Sequence, residues 1–126
     1  MSEQNIGKVF IVEDNELNLK LFTDLLKSND YEVAFTRDGE GAVELMRKFM
    51  PNLILMDIQL QGISGLDIIK RIKEDKHIRH VPIIAVTAFA MKDDREKIMA
   101  SGCEGYIAKP ISIEPFLQIV AQYIKK

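Results

Sequence analysis

"NLILMD", Asn52 to Asp57, decides the reading of the fold. Its apolar run, Leu53 to Met56, shows no polar alternation, the pattern of a strand covered on both faces of a parallel sheet. The run ends on a carboxylate, which belongs in water unless something pairs with it. Moving outward, the same short apolar runs recur as "VFIV" (Val9–Val12), "YEVAF" (Tyr31–Phe35), "PIIAV" (Pro82–Val86) and "YIA" (Tyr106–Ala108).

Between these runs the spacing turns helical. Leu17, Leu21 and Leu25 fall on one stripe, flanked by Phe22 and Leu26. Ala42, Leu45, Met46 and Phe49 form a second stripe, and Leu66, Ile69 and Ile72 a third. The fourth segment, Met91 to Ser101, is sparse, with Met91, Ile98 and Met99 as its main apolar positions. Phe116, Leu117, Val120 and Ile124 make the fifth. Asp38-Gly39 opens the second helix, Ser101-Gly102 ends the fourth, and Pro51 and Pro82 sit just ahead of the third and fourth strands. Five strands alternating with five helices predict one domain over residues 1–126, a doubly wound α/β sandwich with right-handed crossovers. Such sheets hold their sites at the carboxyl ends of the strands, beside the topological switch point.

Composition narrows the function. The chain has 126 residues, 47 % apolar and 29 % charged, with a net charge of −2 and a pI near 5.7. That is ordinary globular composition without the electrostatic footprint of a nucleic-acid or anionic-membrane binder. "MSEQNIGK" has no signal-peptide apolar region and no run approaches membrane-spanning length, so a cytoplasmic location without membrane insertion is expected. The single cysteine, Cys103, excludes an internal disulfide and reads as a small packing residue. His77 and His80 lack further His or Cys ligands nearby and read as solvated loop or helix-end residues. "KDDREK", Lys92 to Lys97, reads as a solvated helix face.

Chemistry gathers where the strands end. The first strand runs into Glu13-Asp14, the third into Asp57, the fourth into Thr87 and the fifth into Lys109. In a parallel sheet these breaks share one edge. Two unit charges about 4 Å apart interact by roughly 4 kcal/mol at a surface-like dielectric, so three bare carboxylates would strain the fold. An all-oxygen ligand set with room for water suits Mg²⁺ better than zinc. With Lys109 and the Thr87 hydroxyl it forms a receptacle for an anion such as a phosphoryl group. A carboxylate can attack phosphorus to give an acyl phosphate, and Asp57 on a central strand is the candidate nucleophile. Each position has a plainer reading alone: Asp14 or Asn15 could cap the first helix, Thr87 could be a turn or cap residue, and Lys109 a surface ion-pair partner. Four coincidences on one edge favour a site.

Taken together and in order, "VFIVEDNELN", "LILMDIQLQGISGLDIIKRIK", "PIIAVTAFAMKDD" and "GCEGYIAKPIS" resemble the receiver domains of bacterial two-component response regulators over almost the full chain. The resemblance implies a flavodoxin-like (βα)5 fold with strand order 2-1-3-4-5 and a stand-alone receiver without an output domain. "EDNELN", "VTAFAMK" and "YIAKPIS" are most similar to stand-alone regulators of bacterial cell-cycle kinases. By that resemblance Asp57 takes a phosphoryl group from a sensor histidine kinase or a histidine phosphotransfer protein. Glu13, Asp14, Asp57 and the Gln59 carbonyl would serve Mg²⁺, with Mn²⁺ as a possible substitute and Glu13 acting mainly through water. Thr87 and Lys109 would contact the phosphoryl oxygens. Tyr106 would turn inward as Thr87 moves, and Lys109-Pro110 would be cis. The switch and partner surface would comprise Ala90, Met91, Tyr106, Pro110 and Phe116, on a monomer or weak dimer acting by protein contact. Autophosphorylation and autodephosphorylation at Asp57 would be the only catalysis.

The chain departs from the usual receiver pattern in two places. Glu13 stands where many receivers have Asp, and Gln61 replaces a common proline, which would loosen the loop without removing a ligand. Gln59 and Phe89 flank the expected approach of water, and bulky Phe89 is expected to slow dephosphorylation. The competing readings are weaker. A Mg²⁺-dependent phosphohydrolase would want a second acid where Gln59 stands, and a nucleotide or flavin module would want a glycine-rich turn rather than the acidic "EDNE".

Overall fold

The computed structural model describes residues 7–88 and 92–124. Five strands, β1 (Lys8–Val12), β2 (Glu32–Thr36), β3 (Leu53–Asp57), β4 (Ile83–Thr87) and β5 (Gly105–Ala108), form one sheet in the order β2-β1-β3-β4-β5. Every pairing is parallel. The connecting helices are α1 (Glu16–Ser28), α2 (Ala42–Phe49), α3 (Gly65–Lys73), α4 (Lys92–Ala100) and α5 (Ile113–Ile124), with a 3-10 turn at Gly39–Gly41 before α2.

The alternation of strand side chains builds two cores. Phe10, Val12, Ile54, Met56, Ile83 and Ala85 meet Met46 of α2, Ile68, Ile69 and Ile72 of α3, and Ile98 of α4. Their neighbours Val9, Ile11, Leu53, Leu55, Ile84 and Val86 meet Leu19, Phe22 and Leu26 of α1 and Phe116 and Val120 of α5. The central strands β3 and β4 are buried throughout, which is why their sequences do not alternate. The edge strands are less covered: Glu32 and Phe35 of β2 and Ala108 of β5 are exposed.

The α1 stripe differs from the sequence expectation. Leu17 is 80 % exposed and Leu21 is exposed as well, while Leu19, Phe22 and Leu26 face the core. Apolar residues wrap more than one face of this helix, and the partner surface selects among them. Phe22 stacks on Phe116 of α5 with ring centroids 5.3 Å apart, and Leu19 and Leu26 join the same core. Leu45 of α2 is likewise exposed, and Met99 of α4 points to solvent, leaving Ile98 as the buried side chain described on α4. On α3, Ile68 joins Ile69 and Ile72 in the core, while Leu66 is only partly buried.

Register sets the site. Val12 pairs with Met56, so Glu13 follows level with Asp57. Asp57 pairs with Val86, and Thr87 with Ala108, so Thr87 and Lys109 step away from Asp57 toward β5. Asn15 caps α1, its side chain accepting the Asn18 N–H at 2.9 Å, which leaves Asp14 free of that duty.

Candidate functional site

At the carboxyl edge of the sheet, one carboxylate oxygen from each of Glu13, Asp14 and Asp57 lies within 4.8 Å of the others. Glu13 is 0 % and Asp57 2 % exposed. Lys109 reaches over from the end of β5, its Nζ 3.3 Å from Asp57 Oδ2 and 3.4 Å from Glu13 Oε1. Backbone N–H groups hold the acids in place. Gln59 donates to Asp57 Oδ1 at 3.0 Å, Asn15 to Glu13 Oε2 at 3.1 Å and Gln61 to Asp14 Oδ2 at 2.9 Å. A proline at position 61, having no N–H, could not make the last of these bonds.

One acceptor stays short of partners. Glu13 Oε1 is buried and takes no hydrogen bond among the described residues; the Lys109 ammonium beside it supplies charge only. The Glu13 carboxyl is raised from 4.5 to about 7, chiefly by burial and next by the neighbouring Asp57 carboxylate. The Asn15 N–H and the Lys109 charge pull the other way. Three acids face one lysine across a few ångströms, with an orphaned buried oxygen among them. That donor set, all oxygen and short of positive charge, fits a hard divalent cation such as Mg²⁺.

The opposite wall carries the hydroxyl. Thr87 is fully buried at the end of β4. The Gln59 side chain, expected to flank the approach of water, crosses to this wall: its Nε2 donates to Thr87 Oγ1 at 2.6 Å and its Oε1 accepts the Ala88 N–H at 3.0 Å. Sequence gave no sign of this bridge, since it joins loops 28 residues apart. Behind Asp57, α3 begins in tight contact. Ser64 caps it, and a Cβ added at Gly65 would sit 2.3 Å from the Asp57 carbonyl oxygen. Only glycine lets this helix start so close.

The remaining expected residues fall as follows. Lys109-Pro110 is cis. Tyr106 is half-buried against the α2–α3–α4 core, its hydroxyl 3.5 Å from Arg95 Nη1 on α4. Pro110 is exposed. Phe116, expected on the partner surface, is instead core: it is 0 % exposed because its ring is stacked on Phe22. Phe89, Ala90 and Met91 lie outside the described residues. His77 and His80 are exposed in a turn, and Cys103 is buried.

A doubly wound sheet with this strand order, carrying acids, a hydroxyl and a lysine on one edge, defines a class. The chain belongs to the response-regulator receiver family, which residues 9–121 match as "Response regulator receiver domain". It is 54 % identical over 116 residues to the polar-differentiation response regulator DivK of Brucella ovis, covering 92 % of this chain and 94 % of the relative. DivK of Brucella abortus (strain 2308) matches with the same identity and coverage. Among solved structures it is similar to the receiver domain of the sensor histidine kinase PA1611 from Pseudomonas aeruginosa PAO1, which has a magnesium ion coordinated in its active-site cleft. That likeness has a TM-score of 0.87 and 32 % identity, over 95 % of this chain and 98 % of the other. The chemotaxis protein CheY4 of Vibrio cholerae shares the fold at a TM-score of 0.87 and 22 % identity, over 92 % and 97 % of the two chains. Among the described residues no helix is long and apolar enough to cross a membrane.

Proposed function

We propose that this receiver is a phospho-aspartate switch in which Asp57 accepts a phosphoryl group from a phosphohistidine on a sensor histidine kinase or histidine phosphotransfer protein. The observation that carries the reading is the buried Asp57 carboxylate held 3.3 Å from the Lys109 ammonium beside two further acids. An Asp57 oxygen attacks phosphorus, the phosphorus–nitrogen bond breaks, and the departing imidazole leaves with the electron pair and is reprotonated. Glu13, Asp14 and Asp57, with the Gln59 carbonyl, would hold Mg²⁺ or Mn²⁺, which when bound neutralises charge on the acids and the incoming oxygens. Lys109 pairs with the transferred group, and Thr87 donates its hydroxyl to it.

Phosphorylation adds up to about two negative charges and three strong acceptors at this edge. Reversing a 1:99 equilibrium takes about 5.5 kcal/mol of preference for one state, the scale of a few charge-assisted hydrogen bonds. Thr87 and Lys109 flank α4 and β5, so the response runs toward Tyr106, Pro110 and the weakly anchored α4. Output is by protein contact from a monomer or weak dimer in the cytoplasm. The likeness to DivK supports histidine kinases of the cell cycle as the targets.

The test is intact mass after incubation with acetyl phosphate, with and without Mg²⁺, for wild type and Asp57→Asn. One phosphoryl group on wild type, lost in the variant and without metal, is the expected result. No adduct under rapid quenching, together with a silent beryllofluoride titration, would refute it.

A further inference from the structure

Gln59 uses its side chain where a metal-site residue would need only its backbone. Both ends of the carboxamide are engaged, and the Ala88 N–H fixes which end is oxygen, since an N–H must face an acceptor. The nitrogen end then meets Thr87 Oγ1 at 2.6 Å, while the Gln59 N–H rests on Asp57 Oδ1 at 3.0 Å. One residue therefore ties the end of β3 to the end of β4, across the gap where an anion on Asp57 would sit.

We infer that Gln59 is a positioning residue, a latch that holds Thr87 and Ala88 in the resting state and must let go for them to engage a phosphoryl group. The inference rests on the phospho-aspartate reading above. When Thr87 moves toward Asp57, the bond from Gln59 Nε2 breaks, and release of Gln59 Oε1 frees the Ala88 N–H to donate to an incoming oxygen. The freed side chain has somewhere to go: Gln59 and Thr87 line a cleft of about 210 Å³ against α4, with Leu66, Asp94 and Lys97 on its walls. The latch favours the unphosphorylated state, and its removal favours the phosphorylated one.

Gln59→Leu keeps the bulk beside Asp57 and removes the amide; Gln59→Met does so with a different shape. Two ordinary hydrogen bonds lost from the resting state alone correspond to about a tenfold change in equilibrium. Beryllofluoride, titrated with Mg²⁺ present, is expected to bind both variants about tenfold more tightly than wild type. The Thr87 methyl resonance of the free variants should move toward its position in beryllofluoride-bound wild type, a shift that a merely structural role would not produce. Melting curves establish that the variants are folded. Unchanged beryllofluoride affinity and an unmoved Thr87 methyl in folded variants, with wild type still taking up phosphate, would overturn the latch and leave the phospho-aspartate reading standing. A wild type that takes up neither phosphate nor beryllofluoride would overturn both.

Discussion

Glu13→Gln should remove a pH dependence of stability from the protein in chelator. The Glu13 carboxyl is buried, with one oxygen lacking a hydrogen bond among the described residues, and its pKa is raised from 4.5 to about 7. Burial is the main cause and Asp57 the next. Between those two values the folded state holds a proton that the unfolded state has released. The unfolding free energy therefore falls as pH rises through this window: the full stability is present below about 4.5 and the loss is complete above about 7. For a dry site the change would be about 3 kcal/mol. Solvent and the Lys109 charge at the sheet edge reduce the measurable part to about 1–2 kcal/mol. Glutamine keeps an acceptor for the Asn15 N–H and presents an amide to Asp57 instead of a charge. The assay is urea unfolding in EDTA at a series of pH values from 4.5 to 8, plotted as the difference between wild type and variant so that other titrations cancel. The variant should gain about 1–2 kcal/mol on wild type across the window, and millimolar Mg²⁺ should stabilise wild type at pH 7.5 more than the variant. Parallel curves for the two proteins would refute the reasoning.

Other expectations follow from the same structure. Asp14→Asn should melt about 3–5 °C higher in chelator and lose the gain from Mg²⁺, because like charge is relieved and Asn15 provides the helix cap; a lower melting temperature in chelator would count against this. Leu26→Ala should cost about 3 kcal/mol and Leu17→Ala less than about 0.5 kcal/mol in urea unfolding, since only the first side chain is buried. Gly65→Ala should destabilise by about 2 kcal/mol or more through the clash with the Asp57 carbonyl, and equal stability would show that α3 can shift. Burial pushes the Cys103 thiol up, so a disulfide reagent at pH 8 should modify it slowly in native protein and rapidly in urea.

Much of the site was legible because polar residues interrupt apolar runs only at strand ends. Glu13, Asp14, Asp57, Thr87 and Lys109 each broke a run, and parallel pairing put all of them on one edge. The α1 face was not legible, because Leu17, Leu19, Leu21, Leu25 and Leu26 satisfy two helical stripes at once. The stack of Phe22 on Phe116, nearly a hundred residues away in sequence, and the packing of Leu19 and Leu26 in the same core break the tie. The same long-range contact removed Phe116 from the surface. The Gln59 bridge was hidden for a different reason: side-chain hydrogen bonds between loops follow no period, and an amide in a loop reads as solvated until its partners are placed.

The contact at Gly65 gives the molecule a direction. With α3 pressed onto the Asp57 carbonyl, that aspartate stands on a fixed anvil. Thr87 shares a cleft with Asp94, Lys97 and Ile98 of α4, a helix with one described side chain sunk in the core. On the proposed function, a group added to Asp57 would meet a close-packed α3 behind the strand and an open cleft toward α4. If the proposed switch operates, two faces of the same small domain would do different work, the α3 side offering partners a constant shape while the α4 side reports the state of the aspartate.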